Sequence, residues 1–363
     1  MSNFHESCNP SCRQPWHSRH SRCSPLHIPM GFTNFAGMMK LSGITSRRRI
    51  KHRPSWNLVF EWEDILSRSL SVPLRCPGRV GWTLRSIVRR LGLPFYHSGD
   101  PTLEFVMVAK PDNQGRYGRN SVPWIIDYFL SDSDTCRFLE STAHCPLVFV
   151  SSYEAYERLL ACGADPDRFR HVPLSLPDCY RLDGSAPMVK DIDIALVGRV
   201  SDVLDGYARR YAAEHPGVVM AVRGPRRKGH LWAYDIKGNP MADIESHDDY
   251  MALLRRSRIF LYSTPGMDDS KPTNGFSQVT PRFLEAIASG CRPVMRYFDN
   301  PDTRFYGLAG FSPSVESYEE FAMIADKALS GPVDLKAYES YLASHYTSSV
   351  ARDVASCLSG VQR

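Results

Sequence analysis

The pattern of apolar and polar positions repeats twice along the chain. Short apolar runs typical of buried strands alternate with longer segments in which apolar residues recur every three or four positions, as in helices packed on a sheet. The clearest strand-like runs are residues 103–109, 122–129, 147–150, 192–197, 218–222 and 258–262. Alternation of this kind predicts parallel sheets covered on both faces, so we expect an α/β protein with two Rossmann-like domains facing a central cleft.

The flanking segments set the predicted domain boundaries. Residues 1–54 are rich in Ser, Pro and Arg and predict a disordered leader. The first domain is expected at residues 55–178, opening with a short strand at 56–61, and the second at residues 190–332. Residues 298–305 predict a loop, and two further helical patterns predict closing helices in residues 333–363.

Two features of the leader, a Cys- and His-rich stretch and a basic run, each allow two interpretations. Cys8, Cys12 and Cys23 lie among histidines, which is typical either of a zinc site or of a tail without a core. The basic run at residues 47–53 either is solvated or touches anionic lipid. Farther along, residues 80–93 predict a basic amphipathic helix.

Composition narrows the class of protein. The chain has 363 residues, is 43% hydrophobic and carries a net charge of +5, and no apolar run reaches transmembrane length. We therefore expect a cytoplasmic protein, with peripheral contact to the inner face of the membrane as the open alternative. Arginines are scattered rather than gathered on an aromatic platform, so we expect a nucleotide rather than nucleic acid as the charged partner.

Several nucleotide-binding and hydrolase motifs are absent from the sequence. Neither half has G-x-G-x-x-G after its first strand, and neither a Walker loop nor G-x-S-x-G occurs. These absences argue against a classical NAD or FAD enzyme, a P-loop protein and a serine hydrolase. The cleft between the two domains, at the carboxyl ends of the strands, is then the expected binding site.

The segment of residues 275–295 has the most informative pattern in the second half. Thr280 is a predicted N-cap, Pro281 a first helical residue and Gly290 a helix stop. The free N–H groups of such a helix suit a phosphate. Glu285, inside this helix, either is solvated or accepts hydrogen bonds from a cis-diol such as that of ribose.

Cationic residues follow the strands of the second half. Arg199 and Arg223 each come directly after a predicted strand, and Arg282 opens the helix just described. Side chains of this kind can neutralise a diphosphate without a metal ion. Residues 226–228, which include Lys228, are equally typical of an exposed turn.

Several segments together resemble the GT-B glycosyltransferases of the group 1 kind, including spore-maturation-type relatives. VTPRFLEAIASGC at residues 279–291 resembles their donor-site segment, and ALVGR at 195–199 looks like the opening of their donor domain. Upstream, FVSSYE, GADP and HVPL at residues 149–154, 163–166 and 171–174 keep the family's order. The resemblance covers residues 120–330 and implies a nucleotide-sugar donor, no metal cofactor, and closing helices that return to the first domain.

Carried over by position, the resemblance assigns a donor site. Glu285 would bind the ribose, Arg199 and Lys228 the diphosphate, and residues 280–282 the phosphates. Ser277 stands where the family has the first carboxylate of its E-x7-E pair.

The predicted reaction is transfer of a sugar from a nucleotide diphosphate donor to a hydroxyl of a glycan or lipid-linked saccharide. Asp127 is the candidate catalytic base, with a turn-capping role as the alternative; other candidates are Glu61, Asp64, His97 and Asp100. Two other functions stay open: a non-catalytic sugar-nucleotide-binding or scaffold protein, and a sugar-nucleotide epimerase of the same fold.

Overall fold

A computed structural model describes residues 39–51, 56–91, 100–108, 116–268 and 273–360. The predicted leader, apart from residues 39–51, and the candidate base His97 lie outside these residues, as do Cys8, Cys12 and Cys23. No helix in the described residues is long and apolar enough to span a membrane.

The first six strands form one parallel sheet, in the order β2-β1-β3-β4-β5-β6. The strands are β1 (Gly43–Thr45), β2 (Leu74–Arg75), β3 (Thr102–Val108), β4 (Ser121–Tyr128), β5 (Val148–Val150) and β6 (Phe169–His171). Their helices are α1 (Asn57–Ser69), α2 (Arg79–Arg90), α3 (Asp132–Ser141) and α4 (Tyr153–Ala161). We call this unit the first lobe.

The next six strands form a second sheet, in the order β10-β9-β8-β7-β11-β12. Its strands are β7 (Ile192–Leu196), β8 (Met220–Arg223), β9 (Trp232–Tyr234), β10 (Pro240–Asp243), β11 (Ser257–Ser263) and β12 (Arg292–Arg296). Strands β7, β8, β11 and β12 are parallel, and β9 and β10 add an antiparallel hairpin at one edge. Helices α5 (Asp202–Glu214), α6 (His247–Arg255), α7 (Arg282–Ala288), α8 (Pro301–Phe305) and α9 (Tyr318–Ser330) complete this second lobe.

The last two helices are α10 (Leu335–Leu342) and α11 (Thr347–Ser359). Helix α10 contacts α7, whereas α11 packs against α1 and buries Val350 and Val354 in the core of the first lobe. The chain therefore returns to its first lobe, as the resemblance implies. The predicted α/β fold of two Rossmann-like units is confirmed.

Three local predictions are wrong. Residues 56–61 belong to helix α1, because the residues buried along it, Val59, Trp62 and Leu66, follow helical spacing. Strand β1 lies inside the predicted leader and pairs with both β2 and β3. Its central residue, Ile44, is fully buried. The segment 298–305, predicted as a loop, contains α8, which Asn300 starts with a capping box.

Candidate functional site

The loop before α7 contacts the carboxyl end of β4 in the first lobe. Gln278 Nε2 donates a hydrogen bond of 2.8 Å to the carbonyl of Ile126, at the end of β4. The Phe276 ring meets Tyr128 edge-on at 5.2 Å between centroids. The loop that opens the predicted donor segment therefore rests on the first lobe.

Arg199 and Arg282 are brought together, as the sequence predicts. Arg282 Nη1 donates a hydrogen bond of 2.8 Å to the carbonyl of Arg199. The guanidinium lies over Gly198, where an added Cβ would stand only 2.6 Å from Nη1. A side chain at position 198 would displace the Arg282 guanidinium, so Gly198 leaves room for that guanidinium beside the Arg199 carbonyl.

Three arginines of the predicted donor site form no salt bridge within the described part of the chain. Arg199, Arg223 and Arg282 form no ion pair there, although many other arginines do. Arg199 and Arg223 are exposed; Arg199 lies three residues after β7, and Arg223 is the last residue of β8. Such cations remain available to an anionic ligand.

Asp127 stands near the end of β4, close enough to Arg199 for their charges to interact. Burial raises the pKa of Asp127 to about 6, and the nearby charge of Arg199 opposes that increase. A carboxyl group with a pKa near neutrality can exchange a proton at physiological pH. The placement of Asp127 suits its candidate role, which remains a prediction.

Lys228 lies in the turn between β8 and β9. It is exposed, has a left-handed backbone with φ of 52°, and is enclosed by a bridge between Arg227 and His230. This geometry is the exposed turn that the sequence left open as an alternative. A diphosphate contact by Lys228 remains a prediction.

The predicted N-cap role of Thr280 is wrong. Helix α7 begins at Arg282 after Pro281, whose backbone is already helical, and no side chain caps it. The Thr280 N–H and hydroxyl both donate to the hydroxyl oxygen of Tyr262, at 2.9 and 3.4 Å. Tyr262, on β11, accepts the hydrogen bond of the Thr280 hydroxyl, and this hydroxyl does not cap helix α7.

Glu285 is buried and paired, not solvated. Its Oε1 atom lies 3.0 Å from His247 Nε2, and His247 Nδ1 lies 2.8 Å from Glu61 Oε2 on α1 of the first lobe. Burial alone would lower the pKa of His247, but its hydrogen bonds to Glu285 and Glu61 raise it to about 10. A protonated histidine therefore joins carboxylates from both lobes.

Two tyrosines surround the Glu61–His247–Glu285 chain. The Tyr180 hydroxyl donates to Asp248 at 2.8 Å, and its ring packs edge-on against His247 at 4.6 Å. The hydroxyl of Tyr250 is buried. Burial, the charge of Glu285 and a hydrogen-bonding interaction with it all raise the pKa of Tyr250. The Tyr250 hydroxyl thus lies beside the Glu285 carboxylate.

Ser277, at the position of the family's first carboxylate, is bound by a carboxylate from the first lobe. Its N–H donates to Glu154 Oε2 at 3.0 Å, and Asn300 Nδ2 lies 3.3 Å from the same oxygen. Asp302 accepts the N–H of Tyr153 at 2.6 Å and that of Val279. Burial raises the pKa of Asp302 to about 7 against the effect of these hydrogen bonds.

The remaining base candidates lie elsewhere or are engaged. Glu61 is committed to His247, and Asp64 forms an ion pair of 2.8 Å with Arg48. Asp100 precedes β3 and is half-buried. Of the candidates that the structure describes, Asp127 is the one whose charge interacts with a predicted donor-binding residue, Arg199.

Sequence reasoning missed His247, Tyr250, Glu154 and Asp302. No local pattern marks them, because each acquires its role from a partner far away in the chain, such as Glu154 with Ser277 and Asp302 with Tyr153. One weak signal existed for His247, which opens α6 after a Ser N-cap.

Comparison with known proteins supports the fold. No protein-family model matches the chain, and no curated protein matches it. Among solved structures, the Anabaena protein HepE in complex with UDP and glucose superposes with a TM-score of 0.50 at 10% identity, covering 89% of this chain and 99% of its own.

Two further structures show weaker likeness. A putative UDP-N-acetylglucosamine 2-epimerase from Listeria monocytogenes gives a TM-score of 0.49 at 10% identity, covering 87% of this chain and 95% of its own. A glycosyltransferase involved in avilamycin A biosynthesis gives 0.49 at 15% identity, covering 87% and 92%. The chain adopts the GT-B fold; at these identities the likeness does not extend to activity.

Proposed function

We propose that the chain binds a nucleotide diphosphate sugar in the cleft and transfers the sugar to a hydroxyl of a glycan or lipid-linked saccharide. The observation that carries the proposal is that Arg199 and Arg282 lie together without ion pairs among the described residues, and that the half-buried Asp127 is close enough to interact with the charge of Arg199. HepE, which shares this fold, has been solved in complex with UDP and glucose, which agrees with a nucleotide-sugar donor.

In the proposed donor site, arginines would bind the diphosphate and a carboxylate would bind the ribose. Arg199 and Arg282 would hold the diphosphate, with Arg223 beside them at the end of β8. The Glu285 carboxylate and the neighbouring Tyr250 hydroxyl would face the ribose.

The proposed step breaks the bond between the sugar C1 and the diphosphate oxygen, and the electron pair leaves with the diphosphate. A bond forms between C1 and the acceptor oxygen, whose proton passes to Asp127. Arg199 and Arg282 stabilise the charge that develops on the diphosphate. No metal ion is part of the proposal.

Product analysis after incubation with a nucleotide sugar and a mixture of saccharide acceptors tests this function. We expect a new glycoside and one nucleoside diphosphate per transfer, with activity falling as the pH drops below about 6, where Asp127 takes up a proton. Asp127→Asn should lower turnover by about 100-fold or more. Asp132→Asn, at an exposed position on α3, is the matched control and should leave turnover unchanged.

The rival functions give different products. An epimerase converts the nucleotide sugar to its epimer, or releases nucleoside diphosphate, without any acceptor. A binding or scaffold protein leaves the nucleotide sugar intact. Either pattern, or equal activity of Asp127→Asn and Asp132→Asn, would contradict the proposal.

A further inference from the structure

Helix α2 turns Arg85 and Arg89 inward and leaves four apolar residues in solvent. Arg89 forms an ion pair of 2.6 Å with the buried Glu104, and Arg85 approaches the same carboxylate at 3.7 Å. Trp82, on the same side of the helix, lies under the guanidinium of Arg47 at 4.6 Å. This inward face fixes the rotation of the helix about its axis.

The opposite face of α2 carries an apolar stripe in solvent. Val80, Leu84, Ile87 and Leu91 follow one another at helical spacing, with exposed fractions of 75%, 58%, 46% and 65%. The other large hydrophobic residues that are exposed in the described chain are spread over several elements. A contiguous exposed stripe on one helix is typical of a docking surface, whereas scattered residues are not.

The charge around the stripe is of one sign. Arg79 and Arg90 are exposed on its flank. Residues 65–91 contain six arginines and no Asp or Glu. A surface with apolar residues in the middle and cations at the edge is complementary to a membrane with anionic headgroups. A second copy of the chain would bring the same arginines against each other, which disfavours self-association through this face.

The structure also excludes part of the basic run at residues 47–53 as the lipid-binding element. Arg47 is paired with Glu104 at 3.0 Å, and Arg48 with Asp64 at 2.8 Å. Their charges are therefore used within the first lobe. Helix α2 keeps exposed cations and adds the apolar contact that the basic run lacks.

We propose that α2 docks the first lobe on an anionic membrane surface, with Val80, Leu84, Ile87 and Leu91 entering the interface and Arg79 and Arg90 meeting the headgroups. Helix α2 would lie in the plane of the surface over its length of about 18 Å. This docking goes beyond the proposed sugar transfer and does not depend on it.

Flotation of the whole protein with lipid vesicles tests the proposal. The protein should float with vesicles of phosphatidylcholine mixed with phosphatidylglycerol, at least about tenfold more strongly than with phosphatidylcholine alone, and added salt should weaken the binding. Leu84→Asp combined with Ile87→Asp should lower the binding about tenfold or more. Both positions are exposed, so the substitutions should leave the fold intact.

A second variant measures how much the two exposed arginines contribute to membrane binding. Arg79→Ala combined with Arg90→Ala should weaken binding to the anionic vesicles about 25-fold, at about fivefold for each arginine. Matched controls are Met323→Asp on α9, which is 65% exposed, and Arg209→Ala with Arg210→Ala on α5, which should bind as the unaltered protein does.

Three results would overturn the proposal. The first is recovery of the unaltered protein in the lipid-free fraction with both kinds of vesicle. The α2 variants could float as well as their controls. Finally, gel filtration could give a dimer that Leu84→Asp with Ile87→Asp dissociates, which would assign the stripe to contact between copies.

Discussion

Glu285 illustrates what can be inferred from a single residue. A Glu among apolar neighbours in residues 283–288 indicates a carboxylate with a specific task, and the structure buries it. Its partner could not be inferred, because His247 is 38 positions away and Glu61 comes from the other lobe. Sequence spacing reports local geometry, and these contacts exist only once both lobes are folded.

Ribose binding by Glu285 can be tested with paired nucleotides. UDP should bind the unaltered protein about tenfold more tightly than 2′-deoxy-UDP, since the carboxylate accepts a hydrogen bond from the 2′-hydroxyl. In Glu285→Gln this preference should shrink, because the charged acceptor is lost while a hydrogen-bond acceptor for His247 is kept. Calorimetric titration of both nucleotides into both proteins gives the four affinities.

A structural role alone would give a different pattern. If Glu285 serves only to hold His247, Glu285→Gln should weaken both nucleotides by the same factor or neither of them. An unchanged preference for UDP over 2′-deoxy-UDP would therefore contradict ribose binding.

At the scale of elements, the sequence predicts the long strands and misses several of the short ones. Strands β3, β4 and β11 were predicted within a residue or two, because seven or eight residues give a clear apolar run. Strand β1 has three residues and no such run. Helix α2 was predicted as amphipathic, but its rotation could not be, because Glu104 on β3 decides which face turns inward.

The pairing of α2 with β3 through Glu104 predicts a measurable loss of stability. Burial alone would raise the pKa of Glu104, yet the charges of Arg89, Arg85 and Arg47 lower it to about 2. Glu104→Gln leaves those arginines partly buried without their carboxylate, and should lower the free energy of unfolding by about 3 kcal/mol at pH 7.

The pH dependence of this loss has a definite sign. A carboxyl whose pKa is lowered by folding stabilises the protein fully above its ordinary pKa of 4.5, and this contribution is lost as the pH falls towards about 2. In urea unfolding from pH 7 to pH 3, the gap between the unaltered protein and Glu104→Gln should therefore narrow below about pH 4.5. Glu157→Gln, on the exposed side of α4, should stay within about 0.5 kcal/mol throughout. Equal stabilities of the two variants at pH 7 would refute the role of Glu104.

At the scale of the whole molecule, the sequence predicts the two Rossmann-like units and the return of the chain to the first lobe. The contacts that join the lobes were not predictable. Glu154 meets Ser277 across 123 positions, and Asp302 meets Tyr153 across 149. These pairs hold the loop before α7 against the first lobe, so the proposed donor site is built from both halves of the chain.

Calorimetric titration with UDP, GDP, CDP and dTDP tests the central claim most directly. We expect at least one of these nucleotides to bind with a Kd in the millimolar range or below. Arg199→Ala should weaken that binding about 10- to 100-fold, because a charged hydrogen-bond donor to the diphosphate is lost. Arg209→Ala, which removes the same charge from the outer face of α5, should leave it unchanged. Absence of binding by all four nucleotides at millimolar concentration, or equal affinities of the two variants, would contradict a donor site at Arg199.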